Sequence, residues 1–362
     1  MRRIDGRNGG GQPLRTALAL SVVTGEPFEM TNVRGNRSTP GLKAQHVACV
    51  SVAAAVSNAD VDGDEVGSSA LRFSPGDVRT DPVEAAVGTA GSATLVCETV
   101  LPAAVAVDAP LQLTVTGGTD VRWSPPADYL RYVKRPLCSM FGVEFGVSVP
   151  RRGFYPAGGG TLSLRIEPAE PTPLALDRRG DLDELRVYSV ASESVADAAV
   201  AERQVEGVRD ALAETGIDLP IRAAVSSAES DSPGSVVVVV ARGGDGSESV
   251  VAGFDASGER GTPAEAVGSR AAASVLDWLR GDAPVDRHMA DQLLVWVALA
   301  GGRLRIPAVT DHVRTNLDVI RAFGYDVTLA GGDSDGDGGT ETGTGSGTDS
   351  GTGAVVESDG GR

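Results

Sequence analysis

An apolar helix, a closing glycine and then a strand recur along most of this chain, and that recurrence limits the fold it can adopt. Leu14, Ala17, Leu18 and Val22 share one face at helical spacing and stop at Gly25, with Pro13 suited to the first helical position. Further helices are predicted from Gly41 and Leu42 through Ala53, and over 90–105, 126–141, 288–300 and 312–323. The last three end at Gly142, Gly301 and Gly324. Strands are predicted over 27–34, 111–117, 143–149, 161–167 and 303–306. This alternation predicts an α/β chain, an α+β sandwich built from repeating units. The units repeat by layout and not by residue identity.

Residues 184–284 depart from that layout. They read as strand 185–191, helix 198–215, strands at 221–226, 235–242 and 249–254, and helix 263–280. That is a compact inserted α/β domain, entered through Pro171, Pro173 and "DRRGDLDE" and left through "GDAPVD" at 281–286. The body is then discontinuous, 1–183 and 285–330. Residues 331–362 are glycine, serine, threonine and acid, and predict a disordered, solvating acidic tail.

The net charge is −17, and Lys43 and Lys134 are the only lysines. Without the tail, 42 acids still face 31 bases. An acidic, lysine-poor surface fits a halophilic protein, since charge repulsion is screened within roughly 3 Å at 1 M salt. It argues against a broad basic patch for nucleic acid, whose counterion-release binding weakens steeply with salt. A nucleic-acid partner has to be gripped locally, by a few directed arginines. No apolar run reaches the roughly 18 residues of a membrane span, and Met1–Asp5 lacks a signal-peptide core. Cys49, Cys97 and Cys138 are odd in number and widely spaced, as buried small hydrophobes of a reducing compartment are. The expectation is a cytoplasmic protein with no membrane contact.

"GGGQPLR" at Gly9–Arg15 places a glycine run at the mouth of a helix, where free N–H groups suit an anion; the plain alternative is a tight turn. It is neither a P-loop nor a dinucleotide fingerprint. Arg34 and Arg37 sit three apart in a loop, able to fork onto one phosphate or to serve as solvated bases. Of the three histidines, His46, His288 and His312, the last has the clearest setting. A helix start at Thr310 or Asp311 puts His312 in the first turn, where the dipole lowers its pKa and favours a neutral nucleophile. Asn316, one turn on, is placed to orient that ring. Asp291 and Gln292 are expected at a helix start, as dipole-favoured polar groups or as readers of a ribose or base.

Seven stretches occur in order from residue 5 to about 325: "GGGQPLRTALALSVVTGEPF", "VRGNRSTPGLKAQH", "GTAGSATLVCETVLPA", "GGTDVRWSPPADYL", "RRGFYPAGGG", "HMADQLLVWVALAGG" and "DHVRTNLDVI". In these the chain resembles the RNA 3′-terminal phosphate cyclase family. The resemblance implies three repeated units, each a four-stranded sheet packed on two helices, plus a small inserted α/β domain. It implies ATP-dependent conversion of an RNA 3′-phosphate end to a 2′,3′-cyclic phosphodiester, releasing AMP and diphosphate. ATP and a divalent metal, Mg²⁺ or Mn²⁺, would serve as cofactors, with no metal ligand set specified. The covalent histidine–AMP falls on His312. The resemblance places Glu98, His288, Met289, Ala290, Asp291 and Gln292 at the nucleotide, and Arg15, Arg34, Arg37 and Gln45 around the phosphates and RNA. It leaves the oligomeric state open, a homodimer included.

Two positions depart from the family pattern. Asn8 stands where the family has a glutamate, in a shortened "DGRNGGGQ", and Glu98 stands where it has a glutamine. Glu98 is therefore expected to compensate in part for the missing acid. Two other readings compete. One is a non-catalytic RNA-binding relative acting in ribosomal RNA processing or assembly; His312, with Thr315 and Asn316, favours the enzyme. The other is an enolpyruvyl-transferase-like enzyme, which two lysines fit poorly.

Overall fold

The computed structural model describes residues 1–244, 250–331 and 353–361. Three sheets share one topology. The first unit runs β1 (Arg2–Asp5), α1 (Gln12–Thr24), β2 (Phe28–Thr31), α2 (Ala44–Ser57), β3 (Asp60–Asp62) and β4 (Leu71–Ser74), in sheet order β1-β2-β4-β3. β1 and β2 are parallel, and β4 runs antiparallel to both β2 and β3.

The second unit repeats that pattern. Its elements are β5 (Val83–Ala86), α3 (Ala93–Val100), β6 (Leu111–Gly117), α4 (Ala127–Tyr129), α5 (Arg135–Ser139), β7 (Phe145–Arg151) and β8 (Gly160–Ile166), in order β5-β6-β8-β7. A π turn over Leu130–Lys134 joins α4 to α5. Pro136 explains it: proline cannot donate the regular helical bond, and the backbone widens in the turn before it.

The third unit is split. After β9 (Leu174–Leu176) the chain leaves to form β10 (Glu184–Ser192), α6 (Val200–Ala213), β11 (Ile221–Ala228), β12 (Ser235–Gly243), β13 (Val250–Ser257) and α7 (Ala264–Leu279). These build a separate sheet, β11-β10-β12-β13, with its own apolar core under α6 and α7. β12 is central and buried along its length, as "SVVVVVA" requires. The chain then returns as α8 (Arg287–Gln292), α9 (Leu294–Ala300), β14 (Gly302–Ile306), α10 (Asp311–Ala322), β15 (Thr328–Ala330) and β16 (Ala354–Ser358). Their sheet is β15-β16-β14-β9, again with one parallel pair and two antiparallel ones.

β16 corrects the expectation of a disordered tail from 331 onward. Ala354 and Val356 are buried, and the strand lies between β14 and β15. Residues 332–352 lie outside the described residues. A repeated unit needs four strands, and the third finds its last one beyond the glycine-rich segment.

One continuous core joins the three repeated units. At its centre α1 packs against α2, α3 and α10, so the first unit meets the other two through one helix. Cys49, Cys97 and Cys138 are free and buried, as small hydrophobes are. No helix among the described residues is long and apolar enough to cross a membrane.

Candidate active site

Between β1 and α1 the chain turns through Gly9–Gly11. Gly11 occupies the N-cap without a capping side chain, so the first-turn N–H groups of α1 stay open. A Cβ on Gly11 would stand 2.6 Å from His46 Nε2 and 2.8 Å from an Arg15 guanidinium nitrogen. A Cβ on Gly10 would lie 3.4 Å from Arg37 and 3.8 Å from His312 Cε1. Two histidines and two arginines, drawn from α1, the loop before α2, α2 itself and α10, thus converge on one glycine turn.

His46 is buried, and the Lys43 backbone N–H donates to its Nδ1 at 3.0 Å. Burial, and then Arg15, Arg34 and Lys43, lower its pKa to about 3. The ring is therefore neutral and carries its proton on Nε2, which faces Gly11. The sequence offered no clear setting for this histidine; only the fold reveals a fixed N–H donor at the turn.

Thr310 caps α10 by accepting from the Val313 N–H at 3.2 Å, which puts His312 in the first turn. Its ring is open to solvent on one side. Protein crowding on the other side, then Arg37 and Arg15, lower its pKa. Asn316 does not orient that ring. It accepts from Thr16 at 2.5 Å and donates to the Asp291 carbonyl at 2.8 Å, locking α10 onto α1 and α8.

The two loop arginines divide. Arg34, buried with a φ of 54°, donates through Nη1 to the carbonyls of Thr39 and Gly41 at 2.8 Å each. It holds the loop in shape and does not pair with Arg37 as a fork. Arg37 is exposed beside Gly10. Arg15 donates to Gln12 across the first turn of α1. Gln45 accepts from the Ser92 N–H at 3.0 Å, which ties the first turn of α2 to the N-terminus of α3.

The "HMADQ" stretch separates by burial. Met289 and Ala290 are core residues, so their side chains pack and do not face a nucleotide. His288 is exposed, edge-on to Tyr129 and 3.6 Å from Asp255. Asp291 lies at the end of α8 and not at a helix start. Burial raises its pKa to about 6, against the opposing pull of His288 and Arg15. Gln292 accepts from Lys134 at 2.9 Å.

Lys134, from the π turn, also stands 3.2 Å from Glu98, with side chains only 4% and 6% exposed. That Glu98 oxygen has no hydrogen bond, so acceptor capacity is left over. The pair lines a cleft with Gln12, Arg15 and Gln292, walled by Pro102 and Trp296. Glu98 is therefore matched to Lys134. Asn8 accepts from Asn36 at 2.9 Å at the surface. Glu98→Gln is expected to lower stability by about 2–4 kcal/mol by stranding the buried ammonium, and Glu98→Gln with Lys134→Met to recover most of it. A thermal-denaturation double-mutant cycle that shows no coupling would refute the pairing.

The true N-cap of α8 is Asp286, which sequence reasoning missed. Its carboxylate accepts from Tyr129 Oη at 2.6 Å, the N–H groups of His288 and Met289 at 2.8 and 3.1 Å, and the Gly253 N–H at 2.8 Å. One buried group thus joins α4, α8 and β13 of the inserted sheet. Gly253 fits because a Cβ there would approach Val133 to 2.4 Å. Asp286→Ala strands four donors, three of them buried, and is expected to cost about 3–5 kcal/mol. Chemical denaturation measures it, and a loss under about 1 kcal/mol would contradict the role.

A family model described as RNA 3′-terminal phosphate cyclase matches residues 7–328. The chain is 44% identical over 340 residues to the RNA 3′-terminal phosphate cyclase of Halobacterium salinarum, covering 91% of this chain and 96% of that one. It is 40% identical over 325 residues to the Pyrobaculum aerophilum protein of the same name, covering 89% and 92%. The likeness to the Pyrococcus abyssi protein of that name is 38% over 326 residues, covering 89% and 93%.

Proposed function

This chain belongs to the RNA 3′-terminal phosphate cyclase family, and from that premise we propose that it closes RNA 3′-phosphate ends to 2′,3′-cyclic phosphodiesters at the glycine turn, with ATP as the activating co-substrate. The observation that carries the reading is the convergence of His312, Arg37, Arg15 and the His46 N–H on Gly10 and Gly11.

Each group has a part. His312, neutral at working pH, attacks the α-phosphorus of ATP through a ring nitrogen. The new N–P bond replaces the P–O bond to diphosphate, and the ring proton passes to solvent. Arg15, Arg37, the His46 N–H and the free amides of α1 hold and neutralise the phosphate oxygens, which is most of what phosphoryl transfer asks of a protein. The RNA 3′-phosphate oxygen then displaces His312 to take the AMP. Finally the vicinal 2′-hydroxyl, giving its proton to solvent, attacks the RNA 3′-phosphorus, whose bond to the AMP oxygen breaks so that AMP leaves. Among the described residues no group of three or more His, Cys, Asp or Glu side chains is arranged for a metal ion. Cationic and amide groups around the turn suit phosphate oxygens, so neutralisation is assigned to the arginines.

Incubation with α-labelled ATP is expected to give an acid-labile protein–AMP that a 3′-phosphorylated RNA discharges while acquiring a cyclic end. Absence of label from the wild type, in molar salt with divalent metal, would overturn the reading. The pH dependence is a second test. His312 has its pKa lowered, so its neutral form persists where an ordinary histidine, near 6.5, is half protonated. Labelling is expected to hold its plateau as pH falls through 6.5 and to decline only below it. Arg37→Ala removes one cause of the shift and moves the decline upward. A wild-type decline centred at 6.5 or above would contradict the assignment.

A further inference from the structure

Fifteen aromatic residues in 362 are few, and among the described residues two large aromatic side chains stand open to solvent: Trp123, 92% exposed, and Tyr155, 63% exposed. They occupy two loops that are laced together. Thr119 and Asp120 donate to the Gly153 carbonyl at 3.0 and 3.2 Å, and Asp120 bridges to Phe154. Beneath them Arg152 donates to both carboxylate oxygens of Asp120 and to both of Asp128, at 2.7–3.1 Å. The Tyr155 loop is clamped on its other side, where Ala157 donates to Ser232 Oγ at 3.0 Å. Trp123 is held at a φ of 63°, a conformation costly for a bulky residue. Two rigid mounts therefore present two rings to water, where rings bring no stability.

The mounts connect to the glycine turn through a relay of contacts. A Cβ on Gly158 would lie 2.9 Å from the Ala90 backbone, and one on Gly91 would lie 3.2 Å from Gln45. Gln45 binds the Ser92 N–H and precedes His46 at the turn. Backbone and side-chain contacts thus run without a gap from Tyr155 to the proposed reaction centre.

We infer that Trp123 and Tyr155 form a stacking platform for unpaired bases upstream of the RNA 3′ end; this rests on the RNA end being the substrate. Charge supports stacking over phosphate contacts. The basic groups nearby are already paired: Arg122 with Glu259 at 3.1 Å, Arg151 with Asp231 at 2.8 Å, and Arg152 as above. Phosphate contacts weaken steeply with salt, whereas every base offers a π face whatever the ionic strength. For a chain of net charge −17, stacking is the grip that screening leaves intact.

The test compares two substrates in molar KCl: an unstructured 3′-phosphorylated RNA of about ten nucleotides and a 3′-phosphorylated dinucleotide. Trp123→Ala is expected to raise KM for the longer RNA about tenfold with little change in kcat, and to leave the dinucleotide untouched. Trp123→Phe keeps a ring and recovers most of the loss; Tyr155→Ala acts in the same direction. Uptake of label from ATP verifies that each variant is folded. Fluorescence gives a readout apart from activity. Trp278 and Trp296 are buried, so the longer RNA is expected to quench Trp123 emission in the wild type and not in Trp123→Phe. An unchanged KM for the longer RNA in Trp123→Ala, with no quenching in the wild type, would overturn the inference, as would a variant that changes only self-association. Quenching without any cyclic product would uphold the platform and remove the cyclase reading instead.

Discussion

His312→Ala is expected to abolish covalent labelling from α-labelled ATP, a loss of at least about 10³-fold, in a protein that still folds. His312 is exposed in the first turn of α10, a position where truncation to Ala costs little stability. The chemical loss is large because no neighbour at the turn can replace it. His46 has its Nδ1 occupied by the Lys43 N–H and its Nε2 protonated. Arg15 and Arg37 are permanently charged and have no lone pair to offer. Asn316→Ala supplies the contrast. Its amide is buried and joins Thr16 to the Asp291 carbonyl, so that variant should lose about 1–3 kcal/mol of stability and only part of its labelling. Acid-labile label surviving in His312→Ala would remove the residue from the mechanism outright.

Ending the chain at Gly331 is expected to be the most destabilising change short of breaking the main core. A solvating tail would be dispensable; a central strand is not. β16 pairs with β14 over Gly302–Ile306 and with β15 over Thr328–Ala330. Its loss leaves two strand edges unpaired and uncovers the apolar surface against Ala354 and Val356. Burying one valine side chain contributes about 1.5–3 kcal/mol, and each ladder hydrogen bond about 1 kcal/mol. Together these approach the roughly 5–15 kcal/mol that holds a whole domain folded. The truncated chain should lose labelling and show amide-exchange exposure in β14 and β15. Replacing Val356 by Asp in the full chain should reproduce much of the effect. A truncated protein with native melting and labelling would show that β16 is dispensable.

Elements with long, alternating or uniformly apolar patterns were legible in the sequence. β6 is one, since "LQLTVTG" alternates buried and open residues; β12 is another, since its valines are buried on both faces. The strands that escaped, β1, β3, β4, β5, β9 and β15, are three or four residues long, and most lie at sheet edges. Too few residues are left there for a period to show. β16 escaped because its "AVVES" sits at the end of a low-complexity run that argues for disorder.

The site divides in the same way. His312 was legible because its helix cap is local. Arg34 was not, because its acceptors are carbonyls set by a left-handed turn. Asp286 and Asn316 were illegible for a further reason: their partners include Tyr129, Gly253 and Thr16, far away along the chain.

The split third unit bears on the order in which the molecule is assembled. The first two units are contiguous, so each can close its sheet soon after its own residues leave the ribosome. The third begins at β9, waits through the whole inserted sheet, and closes only when β16 at 354–358 is available. His312 belongs to that last unit. At roughly 5–20 residues per second, the glycine turn and its cations would stand for many seconds before His312 docks beside them. Synthesis itself thus delivers His312 last among the four side chains that meet at the glycine turn.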